Sequence, residues 1–463
     1  MQGEIKSILE QEDIKWKQQA KQNWYQNGDR NTHFFHAWAD HRRKINTIQK
    51  IQIGDGTVLK DIKEISKAFV GFYQELFTAG PMQGVDICLA DMELCVTEAM
   101  NAKLLKPFVA KEVVVALGQM HNLKSPGPDG FSACFYQRSW DTVKKKVCKS
   151  VLDFLNHGIF DPSINCTHIA LVPKIKSPIS LTNYCHISLC NVLYKFSSNV
   201  LANRLKKVLP HIISLNQSAF IPRRLITDNI MMAFEAMHTM GKRMKGKEGF
   251  MTLKLDMSKA FDIVEWGFLE AVMQKLGFDA RWIHLLMTYV RTVSYSVLIN
   301  GQPFGNIIPS RGIRQGDLLF PYFFILCAEG LSSLLHKAER DRRITGLPIV
   351  RGGMRLNHLF FADDSLLFCK ANIPEWINIQ DILATYERAS GQKLNREKTS
   401  IFFSRNIKLA TKQHILSVAG VKSTNQFKRY LGLPTLIGSS KVEAFSGLQG
   451  KIWGRINGWK EKF

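Results

Sequence analysis

Two carboxylates stand side by side at Asp363 and Asp364, with Leu359 and Phe360 before them and Leu366, Leu367 and Phe368 after. Adjacent acids at the tip of a tight apolar hairpin repel each other and lose hydration, so a fold that keeps them needs a compensating charge. A divalent cation is the usual one, because hard oxygen ligands suit Mg²⁺. A third acid, Asp256, ends the alternating stretch Leu253-Lys254-Leu255-Asp256, whose period is that of a strand. Strands brought together in one sheet would put Asp256 beside Asp363 and Asp364, a set that could hold two metals ~3.5–4 Å apart for in-line phosphoryl transfer. Asp-Asp pairs are also common in ordinary turns, so the pair alone names no reaction.

The elements that must position these acids can be read around them. After Asp256, the residues Phe268, Leu269, Val272, Met273 and Leu276 share one helical face, and Gly277 falls where a C-cap belongs. Beyond the Asp-Asp pair, a helix from Pro374 sets Trp376, Ile379, Leu383 and Tyr386 on one stripe and stops near Gly391. Upstream, Ser125-Pro126-Gly127-Pro128-Asp129-Gly130 is a sharp turn, and from there to about residue 250 the pattern mixes helix and strand. A hairpin is expected around Gly54-Asp55-Gly56, and Val442, Phe445, Leu448, Ile452 and Ile456 recur at helical spacing near the end. Strands with helices on one side make an α+β layer.

The 463 residues suffice for two or three domains, and 62 Lys and Arg against 39 acids give a net charge of +23. Such an excess points to a polyanion, nucleic acid or an anionic membrane surface. The cluster Lys15, Trp16, Lys17, Lys21 and Trp24, followed by His41, Arg42, Arg43 and Lys44, interleaves aromatics with charge; it suits a nucleic-acid surface and a solvated helix face equally. The most apolar run, Leu318 to Ala328, is interrupted by Pro321 and stopped by Glu329, short of the ~20 residues of a membrane span. The N-terminus has no apolar signal segment, so a nuclear or cytoplasmic protein without a membrane segment is expected. Nine cysteines without a CxxC pair argue for reduced thiols and against zinc.

Ordered blocks add what composition cannot. Gly28-Asp29-Arg30-Asn31-Thr32 with Phe34-Phe35-His36 comes first, then LKSPGPDGF (123–131), LVPK (171–174), ISLCNVLYK (187–195), LANRLKKVLP (201–210) and NQSAFIP (216–222). LKLDMSKAFDIVEW (253–266), SRGIRQGD (310–317), FADDSLLF (361–368) and YLGLP (430–434) follow. In these blocks the sequence resembles the reverse transcriptases of plant LINE-type (non-LTR) retrotransposons over nearly its whole length. The resemblance implies a right-hand polymerase fold with fingers, an antiparallel-sheet palm and the start of a helical thumb. It implies a basic helical region at 1–100, an extension to the fingers at 101–154, the reverse transcriptase domain at 155–436 and the start of a thumb at 437–463. Asp256 and Asp363 would be paired metal ligands, with Asp364 adjacent and the Met257 carbonyl completing the second site. Two Mg²⁺ ions, or Mn²⁺ in their place, an RNA template, a DNA primer and deoxynucleoside triphosphates are the implied cofactors and partners; no oligomeric state is implied. Phe261 matches the ring that excludes a 2′-hydroxyl, and Gln315 and Gly316 the loop against the template base and incoming nucleotide. Lys398 matches a loop proposed to protonate pyrophosphate, and Tyr430-Leu431-Gly432 the hairpin that grips the primer.

Several positions depart from that pattern. Cys185-His186 replaces an Arg-Pro pair whose Arg clasps the triphosphate, leaving Lys174 to carry part of that load. Arg223 stands where a glycine is usual, Phe320 where a serine would cap a helix, and Ile263 where an Arg is common. Relatives of this kind carry an endonuclease before this region and often a ribonuclease H after it; neither is among these 463 residues. The alternatives to an active polymerase are a catalytically dead remnant that only binds nucleic acid, and a group II intron maturase, which would require its own thumb domain.

Overall fold

The computed structural model describes residues 33–54, 56–159, 161–244, 246, 248–349, 353, 355–424, 430–433 and a few positions between 449 and 456. The cluster from Lys15 to Trp24, the block 28–32 and the positions Val442, Phe445 and Leu448 lie outside them. The principal strands are β1 (Cys166–Pro173), β2 (Tyr184–Cys190), β3 (Phe250–Leu255), β4 (Ser294–Ile299), β5 (Gln302–Ile307), β6 (His358–Phe361), β7 (Asp364–Lys370), β8 (Ser400–Phe403) and β9 (Lys422–Ser423). The principal helices are α1 (Ile62–Leu76), α2 (Ala110–Gly118), α3 (Trp140–His157), α4 (Val192–Leu205), α5 (Ile226–Lys242), α6 (Trp266–Leu276), α7 (Ala280–Arg291), α8 (Phe320–Arg340), α9 (Ile373–Ser390) and α10 (Leu409–Ala419). Two compact units result. The first takes its described residues from the stretches up to Ala79, Ala102–Arg204 and Ala280–Phe320, and the second from Gly80–Asn101, Leu205–Asp279 and Pro321 onward.

The first unit is built on a four-stranded sheet in the order β2-β1-β4-β5. β1 pairs antiparallel with β2, from Thr167↔Cys190 to Pro173↔Tyr184, and parallel with β4. Along β4, Tyr295, Val297 and Ile299 are buried while Ser294, Ser296 and Leu298 are less so, the period-2 pattern of a half-covered sheet. Helix α1 covers it. The Asp61 carboxylate caps α1 by accepting from the N–H groups of Lys63 and Glu64. Ile65, Phe69, Tyr73 and Leu76 then form its buried stripe. Phe69 meets Tyr184 edge-on with ring centroids 5.4 Å apart, and Tyr73 meets His186 at 5.3 Å. The turn at 125–130 docks on the start of α4, where a side chain at Gly127 would fall 2.3 Å from the Asn191 nitrogen. The Asn191 side-chain oxygen also accepts from Asp129 N at 3.1 Å.

The second unit holds a five-stranded sheet in the order β6-β7-β3-β8-β9, antiparallel except for the β8–β9 pair. On one face, Ala233, Ala236, Met237 and Met240 of α5 pack with Phe250, Leu359, Leu366, Phe368, Phe402 and Tyr430 into one core. α6 and α9 form where the apolar stripes predict. Phe268, Leu269, Val272, Met273 and Leu276 are buried, and α6 ends at Gly277 with φ 90°. Trp376, Ile379, Leu383 and Tyr386 are buried on α9, which runs from the Asn372 cap to Gly391 at φ 77°. These glycines take left-handed backbone that a Cβ would oppose. The expected hairpin near Gly54 is present, with Ile51↔Leu59 and Gln52↔Val58 paired.

The apolar run from Leu318 enters α8, where Phe323, Phe324, Ile325 and Leu326 are buried as core. Among the described residues no helix is long and apolar enough to cross a membrane. One expectation about α8 is corrected. Phe320 is its first helical residue rather than its cap, and Leu319 precedes it. Just before it, Asp317 Oδ1 accepts from Leu319 N at 3.0 Å and closes the turn that leads into the helix. The chain is an α+β protein whose two larger sheets are a four-stranded and a five-stranded one.

Candidate active site

Asp256 follows directly on β3, and its place is set by backbone contacts. Its carbonyl accepts from Asn395 N at 2.7 Å and its own N–H faces Thr399 Oγ1 at 3.4 Å. Asp363 and Asp364 lie at the turn between β6 and β7, which closes with Phe361 opposite Asp364. β7 also pairs with β3, and Ser365 is opposite Leu255. Since Asp364 precedes Ser365 and Asp256 follows Leu255, antiparallel pairing brings the three acids to one end of the sheet.

Electrostatics follow from that register. Burial pushes Asp363 above the usual carboxylate range, its own backbone N–H offsets part of this, and the charge of Asp256 adds to it. Burial also raises Asp364, with Asp363 and Asp256 pushing further and Lys254 pulling it back. Lys398 Nζ stands 3.9 Å from Asp256 Oδ1, on a side chain 69% exposed and therefore free to move toward a ligand. Among the described residues no group of three or more His, Cys, Asp or Glu is gathered that could hold a metal ion by itself.

The segment after Asp256 is held with equal care. Met257 and Ser258 pair antiparallel with Leu394 and Lys393, which leaves Met257 half-buried beside Asp256. Lys259 turns the chain at φ 47°, and Asp262 N closes the turn onto Lys259 O at 2.8 Å. Buried Gln392 donates from Nε2 to Ala260 O at 2.5 Å while its Oε1 accepts from Tyr386 O–H at 2.5 Å. Phe261 is thereby presented half-buried, with its ring against Phe324 of α8 at 4.4 Å between centroids.

The first unit holds the other expected residues. Gln315 and Gly316 lie along the free edge of β2, where Ser188 N donates to Gln315 O at 3.0 Å. Gly316 has φ 108°, and a Cβ there would come within 3.2 Å of Ser188 O. Cys185 lies half-buried with its thiol 3.9 Å from Gln315 Oε1, whereas its neighbour His186 is buried against Tyr73 and Phe77. Lys174 is exposed, and its Nζ donates to Thr182 O at 3.0 Å.

Sequence reasoning missed three buried polar residues. Arg314 is enclosed beneath the loop, donating to Thr167 Oγ1 at 3.1 Å and Tyr289 O at 3.3 Å, with its guanidinium 4.1 Å from the Tyr194 ring. Burial works against its charge, but Tyr194, Cys190 and Asp317 outweigh that and hold its proton above the usual arginine range. Asn229 reaches Phe360 O at 3.0 Å and accepts from Tyr430 O–H at 2.8 Å, so Tyr430 is a core residue although it opens the tight Leu431-Gly432 turn. Gln217 touches the carboxylate turn itself. Arg314 and Gln217 stand in largely polar stretches and Asn229 follows Thr227-Asp228, so nothing local marks any of the three as buried.

Comparison with known proteins matches these elements. The family model described as reverse transcriptase (RNA-dependent DNA polymerase) covers residues 172–435. A 149 kDa protein of transposon TX1 from Xenopus laevis is 29% identical over 383 residues, 82% of this chain. The Pol polyprotein of the type-2 retrotransposable element R2DM from Drosophila melanogaster is 24% identical over 326 residues, 67% of this chain. The chain spans 28% of the length of each of these two relatives. A mitochondrial protein of Arabidopsis thaliana is 52% identical over a shorter stretch of 68 residues, 15% of this chain. With more than half of its length matched and both sheets in place, the chain belongs to the reverse transcriptase family.

Proposed function

We propose that the chain is the RNA-directed DNA polymerase core of a LINE-type, plant-like retrotransposon, extending a DNA primer on an RNA template with deoxynucleoside triphosphates inside the cell, in the nucleus or cytoplasm. The observation that carries this reading is the register Ser365↔Leu255, which sets Asp256 beside the Asp363–Asp364 turn. Enzymes of this family work with divalent metal. The open carboxylates suit Mg²⁺, which is commonly bound through one or two carboxylates and completed by water and substrate phosphates, so a closed protein cage is not needed. The mutual repulsion of the acids is the charge such an ion would neutralise. Asp256 and Asp363, with Asp364 adjacent and the Met257 carbonyl, are the groups that would hold two Mg²⁺ ions or Mn²⁺. When bound, the metal supplies the charge that activates the primer 3′-hydroxyl and steadies the triphosphate.

The chain's own residues do the rest. Phe261, braced on Phe324, is suited to exclude a 2′-hydroxyl by contact. Gln315 offers an amide and Gly316 a close backbone approach to the template base and incoming nucleotide. Lys398 is a proton donor for the leaving pyrophosphate, and Lys174 a cation for the triphosphate. Residues 1–100 serve as a basic linker region, 101–154 as an extension to the fingers, 155–436 as the polymerase domain and 437 onward as the start of a thumb.

Primer extension on an RNA template tests the reading. Extension is expected to require Mg²⁺ or Mn²⁺ and to fall at least about a thousandfold in Asp363→Ala. Equal extension by that variant would remove the assignment. Cys185 at the proposed triphosphate clasp favours a second reading, a remnant that binds RNA in a salt-sensitive way and turns over no nucleotide.

A further inference from the structure

Gln217 is 1% exposed, and its side-chain oxygen accepts two backbone N–H groups, from Ala219 at 2.9 Å and Ala362 at 3.2 Å. Two donors facing one atom fix which end of the amide is oxygen. Its Nε2 is buried with no hydrogen-bond partner. An unpaired buried N–H is unfavourable, so for packing alone an apolar side chain would serve better. The oxygen is the part with a task. Its partner Ala362 sits at φ 53°, left-handed backbone that a residue with a Cβ avoids, directly before Asp363 and Asp364.

The segment carrying Gln217 is itself bound to β6. Phe360 N donates to Asn216 O at 2.8 Å, Ser218 N donates to Phe360 O at 3.1 Å, and Asn216 Nδ2 donates to His358 O at 2.7 Å. Residues 216–218 thus run parallel to β6 along the edge of the sheet. Behind them Arg224 donates to the carbonyls of Ser214, Gln217 and Ile213, which fixes the loop from which Gln217 projects. Half-buried Glu329 of α8 accepts from Ser214 N at 3.2 Å and anchors the same loop from the other side.

We propose that Gln217 is a positioning residue for the carboxylate turn: its Oε1 holds Ala362 in the left-handed conformation that aims Asp363 and Asp364 toward Asp256, and Arg224 holds Gln217. This rests on the polymerase reading for its effect on turnover, but not for its effect on the turn. Local strain of this kind persists only where surrounding contacts determine it. Removing the acceptor leaves the Ala362 N–H buried and unpaired and lets the turn relax away from Asp256.

The test uses the full chain and Gln217→Met, which keeps the length of the side chain and removes the acceptor. Maximal extension rate is expected to fall about ten- to a hundredfold, with nucleotide KM and RNA affinity within about twofold. Deuterium uptake in a peptide covering the β6–β7 turn should rise about tenfold or more, while peptides from α9 are unchanged. Gln217→Asn, whose amide falls one methylene short of Ala362, should give the same turn-specific change and serves if Gln217→Met does not fold. Ala362→Gly placed in the Gln217→Met background should recover much of the lost rate, since glycine takes positive φ without help. Unchanged exchange at the turn, or no recovery by Ala362→Gly, would overturn the proposal. If the unmodified chain extends no primer, the polymerase reading fails, and exchange at the turn still decides the role of Gln217.

Discussion

The carboxylate turn of the second unit and the Arg314–Asp317 loop of the first are both short, and both present polar side chains next to a sheet. They are secured differently. The carboxylate turn is held mainly by neutral groups: Gln217 on Ala362, Thr399 and the Asn395 backbone on Asp256, and Gln392 on Ala260. The Arg314–Asp317 loop is held by a buried ion, since Arg314 lies among Thr167, Tyr289, Tyr194 and Asp317. Neutral holders add no charge against the repulsion of the acids, which Lys254 and the exposed Lys398 relieve only in part, so the place stays open to an added cation. A buried guanidinium instead satisfies its own acid and leaves only Gln315 and Gly316 facing outward. The difference separates acids left open to an added cation from an acid already satisfied by its own guanidinium.

Removing the buried ion is the strongest way to break that contrast. In Arg314→Met the Asp317 carboxylate keeps its hydrogen bond from Tyr194 O–H but loses the Arg314 guanidinium beside it, while Thr167 Oγ1 and Tyr289 O lose a donor. Leaving one partner of a buried charge pair typically costs about 3–5 kcal/mol. Chemical denaturation should show a loss of that size in the transition of the first unit. A loss under about 1 kcal/mol would mean that the loop is held by packing and that the contrast is false.

A smaller effect is expected on the outward side of the same loop. Cys185 lies on the face of β2 shared with Ile187, which is 42% exposed, and opposite Val172, also 42% exposed, so a longer side chain there reaches solvent without disturbing the core. Cys185→Arg would place a guanidinium beside Gln315, where the proposed triphosphate clasp has a thiol and only Lys174 is offered as a cation. A charge-assisted bond to phosphate contributes about 1.5–3 kcal/mol, or roughly a ten- to hundredfold fall in nucleotide KM. RNA affinity should barely change, because one charge is added to a net +23. An unchanged KM would show that the residue at position 185 does not limit nucleotide binding.

What could be read from the sequence follows the range of the interactions involved. α6 and α9 were readable because apolar stripes and terminal glycines are local. Asp256, Asp363 and Asp364 could be picked out as acids that needed a partner, but the pairing of β3 with β7 joins residues about a hundred positions apart and had to be supplied by the family pattern. Arg314 belongs to the SRGIRQGD block without a role of its own there, and its enclosure was not legible because nothing within a few residues announces Tyr194 or Tyr289 as its neighbours. A cap for α8 was expected at Phe320, but Phe320 is already helical, a boundary shift of one residue that a local pattern does not resolve. Gln217 stood in a quoted block without a role, since its partner Ala362 lies 145 positions away.

The smallest expected effect concerns Arg223, which stands where a glycine is usual and takes left-handed backbone at φ 70°. The side chain is exposed, and the next residue, Arg224, makes the contacts that hold the loop. Left-handed backbone at a residue with a Cβ costs about 1–2 kcal/mol. Glycine would remove that cost but gives up about 0.5–1 kcal/mol through its freedom in the unfolded chain. Arg223→Gly should therefore stabilise the second unit by about 0.5–1 kcal/mol, seen as a higher denaturant midpoint with an unchanged slope. Arg224→Gly should do the opposite and more strongly, because it frees the carbonyls of Ser214, Gln217 and Ile213 together. If Arg223→Gly lowers the midpoint instead, the Arg223 side chain contributes a contact worth more than the strain it bears. The loop behind the carboxylate turn would then be held by two arginines rather than one.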